Sequence, residues 1–194
     1  QLPAYRLRTS ADTELPTQSG GGPAARRQSR RIGMSALAKV TDAIPETPHV
    51  KSAFFDPEAL PWAPWVMEGT EFKLFNINPT TGGFTMLLKV SANNVAPIHG
   101  HLGSVEGIIT KGGFGYGDDR GREGHYVLEE GGINHRPDTD SDGMEMLAIA
   151  HAPLCGYEEN GAIGGIVDAK LMYQMAREAG AADHIVKPTH WSDI

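Results

Sequence analysis

Three histidines and a carboxylate occupy one short stretch of the chain. His99 and His101 flank Gly100, Glu106 follows, and His135 arrives behind Gly131-Gly132. Within a strand, residues i and i+2 point to the same face, so two imidazoles separated by one small residue can reach the same metal ion. Glu106 comes after Leu102-Gly103-Ser104 and can return on the neighbouring strand. His135 can be brought to the same centre by a further hairpin. Imidazole nitrogen with or without carboxylate oxygen suits Fe(II), and equally Zn, Mn or Ni.

The rest of the chain reads as a frame for these residues. Short apolar runs recur between turn signals, at Glu71–Asn78, Phe84–Val90, Val95–His101, Val105–Thr110, Phe114–Tyr116, His125–Leu128, Ile133–Arg136 and Met144–Ala150. Ile163–Val167 is one more candidate. Lys111-Gly112-Gly113, Gly117-Asp118-Asp119 and Asp138–Gly143 read as turns between them. Many short strands with regular turns predict an all-β sandwich or barrel. One helix is expected at Val167–Ala179, with Asp168 in its first turn, an apolar stripe of Leu171, Met172, Met175, Ala176 and Ala179, and Gly180 as terminator. The expected organisation is a flexible tail and strap over 1–48, a single domain over 49–182 and a C-terminal tail over 183–194, frayed over 187–194. Phe54-Phe55 and Trp62/Trp65 are expected to pin the strap onto the domain, and Trp62 or Trp65 is a candidate to line the site.

Composition narrows the function. The formal net charge of the 194 residues is -7. Six of the arginines fall in residues 1–33, which leaves the remainder at -11. Such an acidic body repels phosphate backbones, which argues against nucleic-acid binding by the fold. Residues 1–33 read as a flexible basic segment with Met34 as a candidate initiator; an organelle-directing segment is the alternative. The single cysteine, Cys155, excludes an internal disulfide framework and fits a reducing cytoplasm. No apolar run reaches the roughly 18 residues of a membrane span.

The spacing of the site residues resembles the cupin family. The first cupin motif, G-x5-HxH-x(3,4)-E-x6-G, is matched by His99, His101, Glu106 and Gly113 without its leading glycine. The second, G-x5-PxG-x2-H-x3-N, is matched by Gly124, Gly132 and His135, with Glu130 in place of proline and Thr139 in place of asparagine. The resemblance implies a double-stranded β-helix, or jelly-roll barrel, holding a divalent metal and assembling as a homodimer or homotetramer. A narrower resemblance, carried by Ile109-Thr110-Lys111-Gly112, Tyr126–His135 and Ala152-Pro153-Leu154 through Asn160-Gly161, is to the acetylacetone-cleaving and dihydroxyacetophenone dioxygenases. It implies Fe(II) on His99, His101 and His135. Glu106 then becomes a fourth ligand or an acceptor for an imidazole N–H, and Glu129 becomes a residue that orients substrate or water. The implied reaction is O2-dependent C–C cleavage of a β-diketone or hydroxyketone. Ala96 and Gly107 stand where those relatives carry aromatic residues, which points to a different pocket. Two further readings stay open: a non-redox cupin isomerase or hydrolase using Zn, Mn or Ni, and a zinc-holding sensor module like those of anti-sigma factors.

Overall fold

Alternation of apolar residues builds the first long hairpin. In the computed structural model, which describes residues 47–194, a two-residue strand β1 (Ala63–Pro64) leads into β2 (Thr70–Ile77), which pairs antiparallel with β3 (Phe84–Val90). Phe84, Met86 and Leu88 alternate inward along β3, against Phe72 and Leu74 of β2. The chain continues through β4 (His99–His101), β5 (Val105–Tyr116), β6 (Asp119–Arg122), β7 (Tyr126–Glu129), β8 (Asn134–His135), β9 (Asp138–Ala150), β10 (Leu154–Tyr157) and β11 (Ile163–Val167). It ends with helix α1 (Ala169–Glu178). One sheet runs β1-β2-β3-β9-β5-β6, with β7 also on β5; the other runs β11-β10-β4-β8. All pairings are antiparallel. The fold is therefore the expected all-β cupin arrangement with a C-terminal helix. It departs from a barrel in one respect: among the described residues the two sheets do not join into a closed hydrogen-bonded cylinder.

Two expected turns are parts of long strands. Lys111-Gly112-Gly113 lies inside β5, and Asp138–Gly143 inside β9. The β5–β9 register shifts between Ile109 and Lys111 and again between Gly112 and Phe114, as β-bulges do. Gly112 has φ +66, and a Cβ there would lie 2.0 Å from the Gly143 carbonyl oxygen. The glycines thus bend a continuous strand pair rather than end it. Arg120 of β6 holds the acidic start of β9, donating to the carboxylates of Asp138 and Asp140.

The helix forms as expected. Asp168 Oδ1 accepts from the backbone N–H groups of Lys170 and Leu171, which caps the first turn. Met172 and Ala176 are completely buried against the sheet. The strap is held by a buried cation. Lys73 Nζ donates to the Pro57 carbonyl at 3.0 Å and sits 4.8 Å from the Trp62 ring centroid. Phe55 packs edge-on against Phe75, whereas Phe54 stays 88 % exposed and pins nothing. The expected basic segment, 1–33, lies outside the described residues. Among the described residues no helix is long and apolar enough to cross a membrane.

The C-terminal tail 183–194 is docked, and the expected fraying over 187–194 is corrected. Ile185 and Trp191 are buried in the core, Trp191 lies 6.0 Å from the Tyr173 ring, and His184 Nε2 approaches the Leu74 carbonyl at 2.8 Å. Isolated aromatic and aliphatic residues, without periodicity, gave no sign of this docking. Trp191→Ala is therefore expected to lower the unfolding free energy by about 3 kcal/mol, which a urea melt would measure. An unchanged midpoint would show that the segment contributes no packing energy.

Candidate metal centre

The site is set by strand parity. His99 and His101 lie two apart on β4, and β4 pairs with β8 so that His99 stands directly opposite His135. Residues directly opposite in an antiparallel pair share a face. The three imidazoles therefore converge on the inner side of the smaller sheet. One nitrogen from each lies within 4.8 Å of the other two. The ring centroids are 4.5 Å apart for His99–His135 and 4.6 Å for His101–His135.

Gly100 makes this possible from behind. A Cβ at Gly100 would fall 2.5 Å from Tyr157 Oη, 2.7 Å from Asn134 Oδ1 and 2.7 Å from Cys155 Sγ. Tyr157 donates to Asn134 Oδ1 at 2.6 Å, and so ties β10 to β8 across the bare backbone of β4. β8 is a two-residue edge strand, and this bond supplements its few backbone contacts. The cysteine is a buried packing residue of this cluster.

The donor set fits a divalent metal. His99 Nδ1 lies 3.0 Å from the Pro97 carbonyl oxygen, so its N–H points there and the Nε2 lone pair faces the centre. His99 Nε2 and His135 Nε2 are 2.9 Å apart. Metal–nitrogen bonds of about 2.1 Å place adjacent ligand nitrogens roughly 3 Å apart. Burial lowers all three imidazole pKa values, to about 4 at His101 and about 3 at His135, where neighbouring histidines add to the effect; at His99 the Pro97 carbonyl opposes it. The rings are thus neutral at ordinary pH and ready as ligands. His101 Nδ1 is buried without a hydrogen-bond partner.

Glu129 is the carboxylate of this centre, and Glu106 is not. Val105, the first residue of β5, faces inward, and its cross-strand partner Glu129 does too. The Glu129 oxygens lie 3.9 Å from His101 Nδ1 and 3.9 Å from His135 Nδ1. Tyr116, stacked on His135 at 5.0 Å, donates its hydroxyl to Glu129. Burial raises the Glu129 pKa, and the Tyr116 bond opposes that rise. Glu106 is one residue out of phase. Its cross-strand partners are Leu128 and Ile149 on the outer face. There its carboxylate accepts from Tyr126 at 2.5 Å and meets His151 Nε2 at 2.9 Å. The expectation that Glu106 binds the metal, or accepts from a metal-bound imidazole, is corrected: the loop 102–104 delivers Val105, not Glu106, to the inner face.

Of the other positions expected near the site, some line it and some do not. Trp65, with Met67 and Ala96, lines the inner cavity of about 80 Å³ that His99, His101 and Glu129 share. Trp62 does not; it lies beneath Lys73 and Lys89. Gly107 does not shape the cavity either. A Cβ there would come 2.5 Å from the Leu147 carbonyl oxygen, so its smallness serves the β5–β9 contact.

Comparison with known structures supports this architecture. The fold is similar to an RmlC-like cupin protein from Ralstonia eutropha (23 % identity, TM-score 0.60, covering 69 % of this chain and 89 % of that one). It is also similar to a second protein with a cupin-like fold from the same organism (22 %, TM-score 0.63, 74 % and 98 %). A third is an acetylacetone dioxygenase from Acinetobacter johnsonii (16 %, TM-score 0.60, 71 % and 99 %). These likenesses define the class of the fold, a cupin. The chain belongs to the ChrR cupin-like domain family, whose sequence profile matches residues 50–155. A search of curated proteins by sequence gives no significant match.

Two outcomes follow from the geometry. Gly100→Ala is expected to force β8 and β10 apart, cost about 1–3 kcal/mol as overpacking and weaken metal binding in a competition titration. Retained affinity would show that the Tyr157–Asn134 tie does not position His135. The second concerns pH. A histidine whose folded pKa lies below its unfolded 6.5 is protonated more readily in the unfolded chain, so stability is lost as pH falls from 6.5 towards about 4, the value at His101. Glu129, with its raised pKa, acts in the opposite sense. The test is therefore a difference: metal-free His101→Gln should lose less stability than wild type between neutral and mildly acid pH. Parallel pH profiles would contradict it.

Proposed function

We infer that the three-histidine centre holds Fe(II) and that the protein is a dioxygenase cleaving a C–C bond of a β-diketone or hydroxyketone. The observation that supports this reading is the absence of a carboxylate from the ligand set, because Glu106 is turned to the outer face. Three neutral imidazoles would leave the charge of a divalent ion uncompensated, and an enolised dicarbonyl is an anion that could compensate it. Fe(II), when bound, supplies the reactivity towards O2 that no side chain here possesses. The likeness to an acetylacetone dioxygenase extends to the fold alone.

The chain's own residues have distinct tasks. His99, His101 and His135 present neutral nitrogen donors. Glu129 accepts the proton that the substrate loses on enolisation, and its burial brings its pKa upward, nearer to working pH. Tyr116 holds the Glu129 carboxylate by its hydroxyl and stacks on His135. Phe114, Met86 and Met146 line the cavity and keep water from it. The second reading is a zinc-binding sensor module; the family match to ChrR cupin-like domains fits it, while the zinc itself is part of the reading.

Metal analysis of the isolated protein, with O2 consumption on a panel of β-diketones and aryl hydroxyketones, separates these. Iron near one per chain, with O2 uptake abolished by His135→Ala, is expected. Glu129→Gln should lower kcat by roughly 100-fold or more with a smaller change in KM. Zinc as isolated, with no O2 uptake after iron loading, would favour the second reading.

A further inference from the structure

Two glycines beside the metal centre have no packing reason to be glycine. Along the smaller sheet, His135 stands opposite His99, His99 opposite Gly156, and Gly156 opposite Gly165. These four residues form one cross-strand row on a single face. The row begins as two imidazoles and ends as two bare positions. A Cβ added at Gly156 or at Gly165 would meet no atom of the described residues within 4 Å. Neither residue has a positive φ. Gly100 and Gly107 are different, since a Cβ at either would collide at 2.5 Å. The β10–β11 register shifts just after Gly156. A strand glycine marks such a bulge or a place where something else approaches the backbone, and the open space above both glycines points to the second.

The space above the row is an apolar cleft of about 310 Å³ that ends on His99. Trp65, Met67 and Leu171 wall it. Val66, Ile98 and Ile166 at its rim are 48 %, 50 % and 41 % exposed. His99, Trp65, Met67 and Leu154 line both this cleft and the inner cavity. The inner cavity, at about 80 Å³, is well below the several hundred Å³ that organic ligands fill. A ligand whose polar head meets the histidines must place its remainder elsewhere, and the cleft adjoins.

We propose that the Gly156–Gly165 floor is the subsite for an uncharged, apolar arm of the ligand whose oxygen-bearing head reaches the three-histidine centre. Among the described residues no Asp, Glu, Lys or Arg lines the cleft. The natural ligand is then an asymmetric carbonyl compound with one extended hydrocarbon substituent, not a minimal diketone. Gly156 and Gly165 set specificity by leaving room. The nature of the head rests on the function proposed above; the cleft does not.

The test uses the full chain in two arms. First, hexanol is titrated into the isotope-labelled protein, and amide shifts are read. Shifts at Gly156 and Gly165 that saturate, and that vanish in Gly165→Val, are expected. The variant should fold, because its Cβ meets nothing. Second, acetylacetone and homologues with one methyl lengthened stepwise to heptyl are bound to the metal-loaded protein. Affinity should rise roughly fourfold per buried methylene, and Gly165→Val should flatten that slope. Hexanol shifts confined to the outer face around Ile108 and Leu128 would overturn the proposal. So would a slope unaltered by Gly165→Val, or glycine shifts that track protein concentration without probe, which would put a second copy of the chain in the cleft. If hexanol binds at the glycines and no diketone binds at all, the cleft stands and the dioxygenase reading falls.

Discussion

The two-residue repeat of the β-pleat is the constraint on which this structure depends. It places His99 and His101 on one face of β4 and leaves Gly100 on the other. The pairing of β4 with β8 then adds His135 opposite His99. Both sides of β4 are thereby committed. The inner side carries donors. The outer side carries the Tyr157–Asn134 tie that crosses over Gly100. A one-residue slip in either strand would reverse every side chain and destroy the centre. The site is thus as rigid as the sheet register, although β8 itself is only two residues long.

The same rule explains why one carboxylate belongs to the centre and the other does not. Glu106 and Glu129 belong to neighbouring strands, β5 and β7. Their registers, Val105 opposite Glu129 and Glu106 opposite Leu128, place them on opposite faces. Glu106 answers to the cupin motif, whose spacing tolerates either three or four intervening residues. A spacing that allows both parities cannot fix the face. The inward facing of Val105, Gly107 and Ile109, which places Glu106 outside, emerges only from the pairing of β5 with β7 and β9.

The histidines, the all-β class and the terminal helix were legible because each rests on a local periodic signal. The less legible parts depend on long-range partners. β10 contains Cys155-Gly156, which has little strand propensity, and is held by β4 and β11 on its two sides. Lys111–Gly113 and Asp138–Gly143 carry turn residues, yet each lies in a long strand because the two segments pair with one another through bulges. Ile185 and Trp191 lack any period and dock only because the sheet offers a surface for them. Gly107 looked like a pocket position and is a packing position. Gly156 and Gly165 carried no signal at all, since an empty space above a strand exists only once the strands are paired.

Charge gives the buried carboxylate its meaning. Glu129 is 9 % exposed and touches neutral imidazoles at 3.9 Å, so its surroundings disfavour the anion. A cation held by those imidazoles reverses the balance, because a nearby positive charge favours the ionised carboxylate. Occupancy of the centre and the proton on Glu129 are therefore coupled, and the coupling is reciprocal. Tyr116 sharpens it. Its hydroxyl donates to Glu129, which satisfies the anion and opposes the desolvation cost. Its own ionisation is suppressed by burial and by that carboxylate, so it remains a donor throughout. With Glu106 outside, Glu129 is the carboxylate through which the centre can trade charge for a proton. Loading the centre would thus leave Glu129 ionised and free to accept a proton, though less basic than burial alone would make it.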